Sequence, residues 1–143
     1  MKKGNTLVEA IISMSLLLIA LTLSVQIASL SSKSISIRQN REKANRVSYA
    51  IENEMKYNIK FTEINDRFID GKLSLKYEDD ILEKLLTTSL LSLERGNEIV
   101  IEKKVDNSTE ETYRISTFKI TIFDSREGIL NEREFIKSYW MDI

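Results

Sequence analysis

The most chemically pointed pattern in this 143-residue chain lies near its start, in Gly4-Asn5-Thr6-Leu7-Val8-Glu9. Glycine has no side chain, so its peptide can adopt conformations and close approaches that other residues cannot. Glu9 opens a predominantly apolar run, Leu7–Leu30, whose stretch Ala10–Val25 holds no charge. A carboxylate there costs free energy unless an opposite charge meets it. A lone acid is thus set at the mouth of one apolar segment.

Little else in the chain suggests chemistry of turnover. There is no histidine and no cysteine. The commonest general base, the commonest transition-metal ligand, disulfides and thiolate metal sites are all removed together. With four glycines, no Gly-rich phosphate loop is formed. No catalytic residue, metal site or cofactor is expected, and the chain reads as a non-enzyme. The cluster Glu78-Asp79-Asp80 has the residue types of a calcium site, but such a cluster more often starts a helix and complements its dipole.

Length decides what the apolar run is. As a helix it spans roughly 36 Å, enough to cross a hydrocarbon core of about 30 Å. Its serines and threonines are tolerable there, because their hydroxyls can bond back to the helix carbonyls. A cleavable secretory signal would have a shorter core followed by a small-residue cleavage site, and a plain signal anchor would leave Glu9 unexplained. Beyond residue 30 no glycine or proline breaks the helix before about Asn58. Ala44, Val47, Ile51, Met55 and Ile59 recur at helical spacing, which predicts an amphipathic second half and one helix of roughly 80 Å.

The remainder predicts a small antiparallel sheet. Asp70-Gly71 reads as a turn into a strand at 72–77. Asp79 or Asp80 caps a helix carrying Ile81, Leu82, Leu85, Leu86, Leu90 and Leu93, ended by Gly96-Asn97. Strands follow at 98–105, 112–123 and 132–141. The strand at 112–123 places Tyr113, Ile115, Thr117, Lys119, Thr121 and Phe123 on one face and Ile120 and Ile122 on the other. Tyr139 and Trp140 read as strand residues on the core. The fold class is α+β: a long N-terminal helix, half transmembrane and half amphipathic, packed on a small β-meander with one additional short helix.

Charge is distributed unevenly. Residues 1–30 hold Lys2 and Lys3 against Glu9; residues 31–60 hold seven basic and three acidic side chains; residues 61–143 hold twelve basic and eighteen acidic ones. Lys33, Arg38, Arg41, Lys43 and Arg46 suit anionic lipid headgroups or the acidic face of a neighbour. DNA is the sharper alternative, but no aromatic side chain is interleaved before Tyr49 to stack bases, so nucleic acid is not an expected partner. Those five cations against two in the leader would, by the positive-inside rule, place the C-terminal domain in the cytoplasm.

The opening Met-Lys-Lys-Gly-Asn-Thr-Leu-Val-Glu resembles the class III signal of type IV pilins and pseudopilins. Gly4, Thr6, Leu7 and Glu9 match that pattern. Asn5 stands where phenylalanine is usual, and Gln26 stands where many major pilins have a proline, which points to a minor subunit or a pseudopilin. The resemblance implies cleavage between Gly4 and Asn5 by a prepilin peptidase and N-methylation of Asn5. It also implies pairing of Glu9 with the mature N-terminus of a neighbour. It divides the chain into a leader (1–4), a transmembrane and filament-core helix (5–30), the soluble half of that helix (31–59) and an extracytoplasmic domain (60–143). The implied role is a structural subunit of a type IV pilus-like filament, serving a pilus, type II secretion or DNA uptake. Implied partners are the prepilin peptidase, other pilins or pseudopilins, the inner-membrane assembly platform and membrane lipid. The loop Asp106-Asn107 with Glu110 and Glu111 resembles pseudopilin calcium loops only faintly, and a solvated hairpin is expected. The competing reading is a single-pass anchor carrying an extracytoplasmic binding domain that never polymerises.

Overall fold

A computed structural model of the chain describes residues 3–106, 115–124, 128–138 and 141. The fold is α+β, as the sequence predicts. Helix α1 runs Lys3–Tyr57 and α2 runs Phe61–Arg67. Strand β1 (Lys72–Leu75) and α3 (Ile81–Thr87) follow, then a 3-10 turn at Leu90–Ser92. Strands β2 (Ile99–Asp106), β3 (Ile115–Phe123) and β4 (Ile129–Ser138) complete the element order. The chain divides into two compact units, residues 1–39 and 40–143.

The first unit is α1 alone up to Gln39. After Gly4 the whole helix contains neither glycine nor proline, so no residue interrupts its hydrogen-bond ladder.

In the second unit the remaining turns of α1 contribute the predicted stripe. Ala44, Val47, Ile51 and Met55 are all buried, and so is Ile59, two residues past the end of the helix. They belong to one core with Leu73, Leu75, Ile99, Ile101, Phe118, Ile120, Ile122 and Phe135 from the strands. Burying each such large side chain contributes about 1.5–3 kcal/mol. The four strands form one antiparallel sheet in the order β1-β2-β3-β4. Alternation along β3 follows the expected faces: Phe118, Ile120 and Ile122 point into the core. Phe118 stacks on Phe135 with ring centroids 5.5 Å apart and meets the edge of Phe68 at 5.9 Å.

The Asp70-Gly71 turn is present in the form its residues favour. Both have positive φ, 51° and 73°. The flanking Ile69 and Lys72 exchange backbone hydrogen bonds of 3.0 and 2.9 Å. Two consecutive left-handed residues make the tight hairpin that Asp-Gly supports best.

Three elements depart from expectation. Helix α2 is an additional helix, anchored by the buried Phe61 and Ile64. The helix predicted to reach Leu93 stops at Thr87. Thr88 turns extended, and the Thr87 hydroxyl bonds back to the carbonyls of Glu83 and Lys84. Three hydroxyl residues in a row, Thr87-Thr88-Ser89, offer the backbone alternatives to the helix ladder. The break lets Leu90 enter the core while Leu86 stays 87% exposed. Asp80 occupies the N-cap position of α3, but its side chain makes no capping hydrogen bond. Gly96 does not end a helix either. A Cβ there would lie 2.6 Å from the Lys76 Cα, so a bare backbone is needed for this close approach. Tyr139, Trp140 and the loop acids Glu110 and Glu111 lie outside the described residues, as does Asn107.

Candidate functional site

The N-terminal motif sits on the first turns of α1. Gly4 and Asn5 are helical in backbone, and Thr6, Leu7 and Glu9 are exposed. The first backbone N–H groups of any helix lack intrahelical acceptors. Opening the turn around Gly4 into an extended peptide therefore sacrifices few hydrogen bonds. Asn5 and Glu9 are four residues apart and share one face of the helix. Among the described residues no cation faces Glu9. Between Lys3 and Lys33 it is the sole charged residue.

Beyond Glu9, α1 presents an uncovered apolar surface. The large apolar side chains from Leu7 to Leu30 are 53–72% exposed. Soluble monomers rarely expose contiguous apolar patches beyond a few hundred Å². An 18-residue window of this helix has a mean hydropathy of 2.2, and α1 is long and apolar enough to cross a membrane. Three of its hydroxyls are satisfied within the helix. Ser15 donates to the Ile11 carbonyl, Thr22 to that of Ile19 and Ser24 to that of Ala20, each at 2.8 Å. These bonds let the hydroxyls sit in a solvent with no other acceptors.

The acidic cluster at residues 78–80 does not converge. Lys76 Nζ lies 3.0 Å from Glu78 Oε1, and Lys84 pairs with the other oxygen of Glu78. Asp80 Oδ2 lies 3.3 Å from Lys84 Nζ, and Asp79 Oδ1 lies 3.7 Å from Lys43 Nζ. Among the described residues no three acidic side chains are placed to hold a metal ion. Hydrogen bonds from Lys84 and Lys76 hold the Glu78 carboxyl below its ordinary range.

The five cations after the apolar run fall into two sets. Lys43 faces Asp79, and Arg46 Nη2 donates to Glu42 Oε1 at 2.7 Å. Lys33, Arg38 and Arg41 are exposed and have no carboxylate partner among the described residues.

A charged network that the sequence does not announce lies where α1 meets β4. Glu52 accepts from Lys56 Nζ at 2.5 Å and from Arg133 Nη1 at 2.9 Å. Burial pushes its carboxyl up, and these two hydrogen bonds outweigh that effect, leaving it below the ordinary carboxylate value. Ser48 donates to Asn131 Oδ1 at 2.7 Å on the same contact. One turn further, the fully buried Lys137 donates to the carbonyls of Lys56 and Ile59. A sequence signal for this exists only in part. Arg133, Phe135 and Lys137 alternate in β4, but nothing local says that the two cations face inward.

In the second unit a groove of about 480 Å³ lies between the last turns of α1 and α3. Tyr57, Leu82, Leu85 and Leu86 line it, with Glu54 at the rim. No protein family, curated protein or solved structure matches this chain.

Proposed function

We propose that the chain is a minor pilin or pseudopilin, a membrane-anchored subunit cleaved after Gly4 and built into a type IV pilus-like filament. One observation carries this reading. An exposed apolar helix, long enough to cross a bilayer, is opened directly by Gly4-Asn5-Thr6-Leu7-Val8-Glu9 and is covered by nothing else in the first unit. The mechanism is polymerisation. The helix exchanges lipid for the helices of neighbouring subunits, and head-to-tail contacts of this kind propagate instead of closing. Moving Glu9 out of an aqueous interface strands a carboxylate in apolar surroundings, and the amine freed on a neighbour's Asn5 offsets that charge.

In this reading the N-terminus lies in the cytoplasm and residues 60–143 lie outside the membrane. The cation count around the helix argues for the reverse orientation. The chain has no cysteine of its own, so single cysteines placed along residues 60–138 report their compartment without background. Labelling by an impermeant thiol reagent supports the proposed topology, and protection of every site refutes it.

Polymerisation is tested by Glu9→Ala in cells that express the filament machinery. Membrane insertion should be retained and the amount recovered in sheared filaments should fall at least tenfold. Normal recovery would remove the role given to Glu9.

A further inference from the structure

We propose that Lys33, Arg38 and Arg41 form a docking patch for the phosphate headgroups of anionic phospholipids, used while the subunit resides in the membrane. Such a patch requires only that α1 cross a bilayer, whether or not the chain polymerises.

From Ala10 to Arg41 the chain contains no acidic residue. Within that stretch the cations begin three residues after Leu30, the last residue of the apolar run. At about 1.5 Å per residue, Lys33, Arg38 and Arg41 lie roughly 4.5, 12 and 16 Å beyond Leu30 along the helix. A headgroup layer of about 5–7 Å borders each face of a 30 Å hydrocarbon core. Lys33 thus sits within that layer. Arg38 and Arg41 start outside it, but helical side chains lean toward the N-terminus, here back toward the membrane. Their long stems allow the charged ends to reach the interface.

The three are also gathered on one side. At about 100° per residue they fall within roughly 140° of the helix circumference, with Arg41 between the other two. Ile37 lies inside the same arc and is 46% exposed, giving the patch an apolar centre suited to the boundary between acyl chains and headgroups.

Pairing separates this patch from the neighbouring cations. Lys43 and Arg46 each face a carboxylate of their own chain, Asp79 and Glu42. Lys33, Arg38 and Arg41 face none among the described residues. An acidic protein surface could satisfy the same charges. Lipid is favoured because the patch is continuous with the apolar run, so every membrane-resident copy holds it against headgroups.

The test uses the full chain in detergent micelles, titrated with phosphatidylglycerol or phosphatidylcholine, with bound lipid counted by native mass spectrometry. Near an anionic surface each Lys or Arg strengthens binding roughly fivefold. The unmodified chain should retain phosphatidylglycerol at least tenfold better than phosphatidylcholine. The triple variant Lys33→Gln, Arg38→Gln, Arg41→Gln should lose that preference, and the double variant Lys43→Gln, Arg46→Gln should keep it. Equal retention of the two lipids by the unmodified chain overturns the proposal, and so does equal loss in both variants. Lipid-independent self-association that only the triple variant abolishes, with no lipid preference, would assign the patch to an acidic face of a second copy and likewise overturn it.

Discussion

Lys137 Nζ, on β4, lies 2.8 Å from the carbonyl oxygen of Ile59 and 3.3 Å from that of Lys56, at the C-terminal end of α1. The side chain is fully buried, and its ammonium sits 5.2 Å from the centroid of the Phe61 ring. The last carbonyls of a helix have no intrahelical donors and carry the negative end of its dipole. A lysine reaching in from the last long strand supplies both donor and charge, and so ties the end of α1 to the sheet. Lys137→Met keeps the length and removes the donors. The second unit should lose about 2–3 kcal/mol, because charged hydrogen bonds vanish and carbonyls are left buried. Denaturant unfolding of the full chain in detergent measures this. An unchanged midpoint would contradict the capping role.

Glu52 makes the neighbouring contact acid-sensitive. Its side chain is 11% exposed, against 21% for Lys56 and 32% for Arg133. The folded carboxyl lies below its ordinary value of 4.5. A carboxyl depressed on folding contributes stability above its unfolded value, and that contribution is lost as pH falls through the folded value. The chain should therefore lose stability from about pH 4.5 downward. Glu52→Gln should cost about 2 kcal/mol at pH 7 by leaving two partly buried cations unmatched, and should flatten the acid limb. Thermal unfolding of both proteins between pH 3 and 7 checks this. An equally steep acid limb in the variant would assign the sensitivity to other carboxylates.

The opposite face of the sheet carries a row of alternating charge. Lys72 stands opposite Glu102, Glu102 opposite Lys119, and Lys119 opposite Glu134, one residue from each strand. Lys119 also lies 2.9 Å from Glu132, and Lys104 pairs with Glu134. Hydrogen bonds from Lys72 and Lys104 hold Glu102 and Glu134 below the usual carboxylate range, and the one to Glu132 pushes Lys119 up. Lys119→Glu places like charges directly opposite, which is destabilising in a sheet. Its melting temperature should drop at low salt and recover much of the loss in 1 M salt, where the screening length is about 3 Å. A loss independent of salt would point to packing instead.

Periodicity in the sequence carries far in this chain, and side-chain direction does not. The stripe from Ala44 to Ile59, the Asp70-Gly71 hairpin and the two faces of β3 are readable because each depends on local spacing or local φ. Helix α2 is short, and its signal is only Phe61, Ile64 and Phe68, too few anchors to outweigh a loop reading. The early stop of α3 depends on Leu90 finding the core, a tertiary gain that a leucine pattern continuing to Leu93 conceals. The burial of Lys137 is not legible, since the carbonyls it meets lie about eighty residues earlier in the chain. The N-terminal motif is the reverse case. All its information is in the residues themselves, and the fold adds that the apolar helix behind it is uncovered.

The filament reading stands or falls on whether the membrane-resident chain is a substrate for cleavage after Gly4. Intact mass decides this, measured on the full chain recovered from membranes of cells with an active prepilin peptidase and from matched cells lacking it. The subunit should begin at Asn5 in the first and, unprocessed, at Met1 in the second. A chain that keeps Met-Lys-Lys-Gly in the presence of the active peptidase would contradict it.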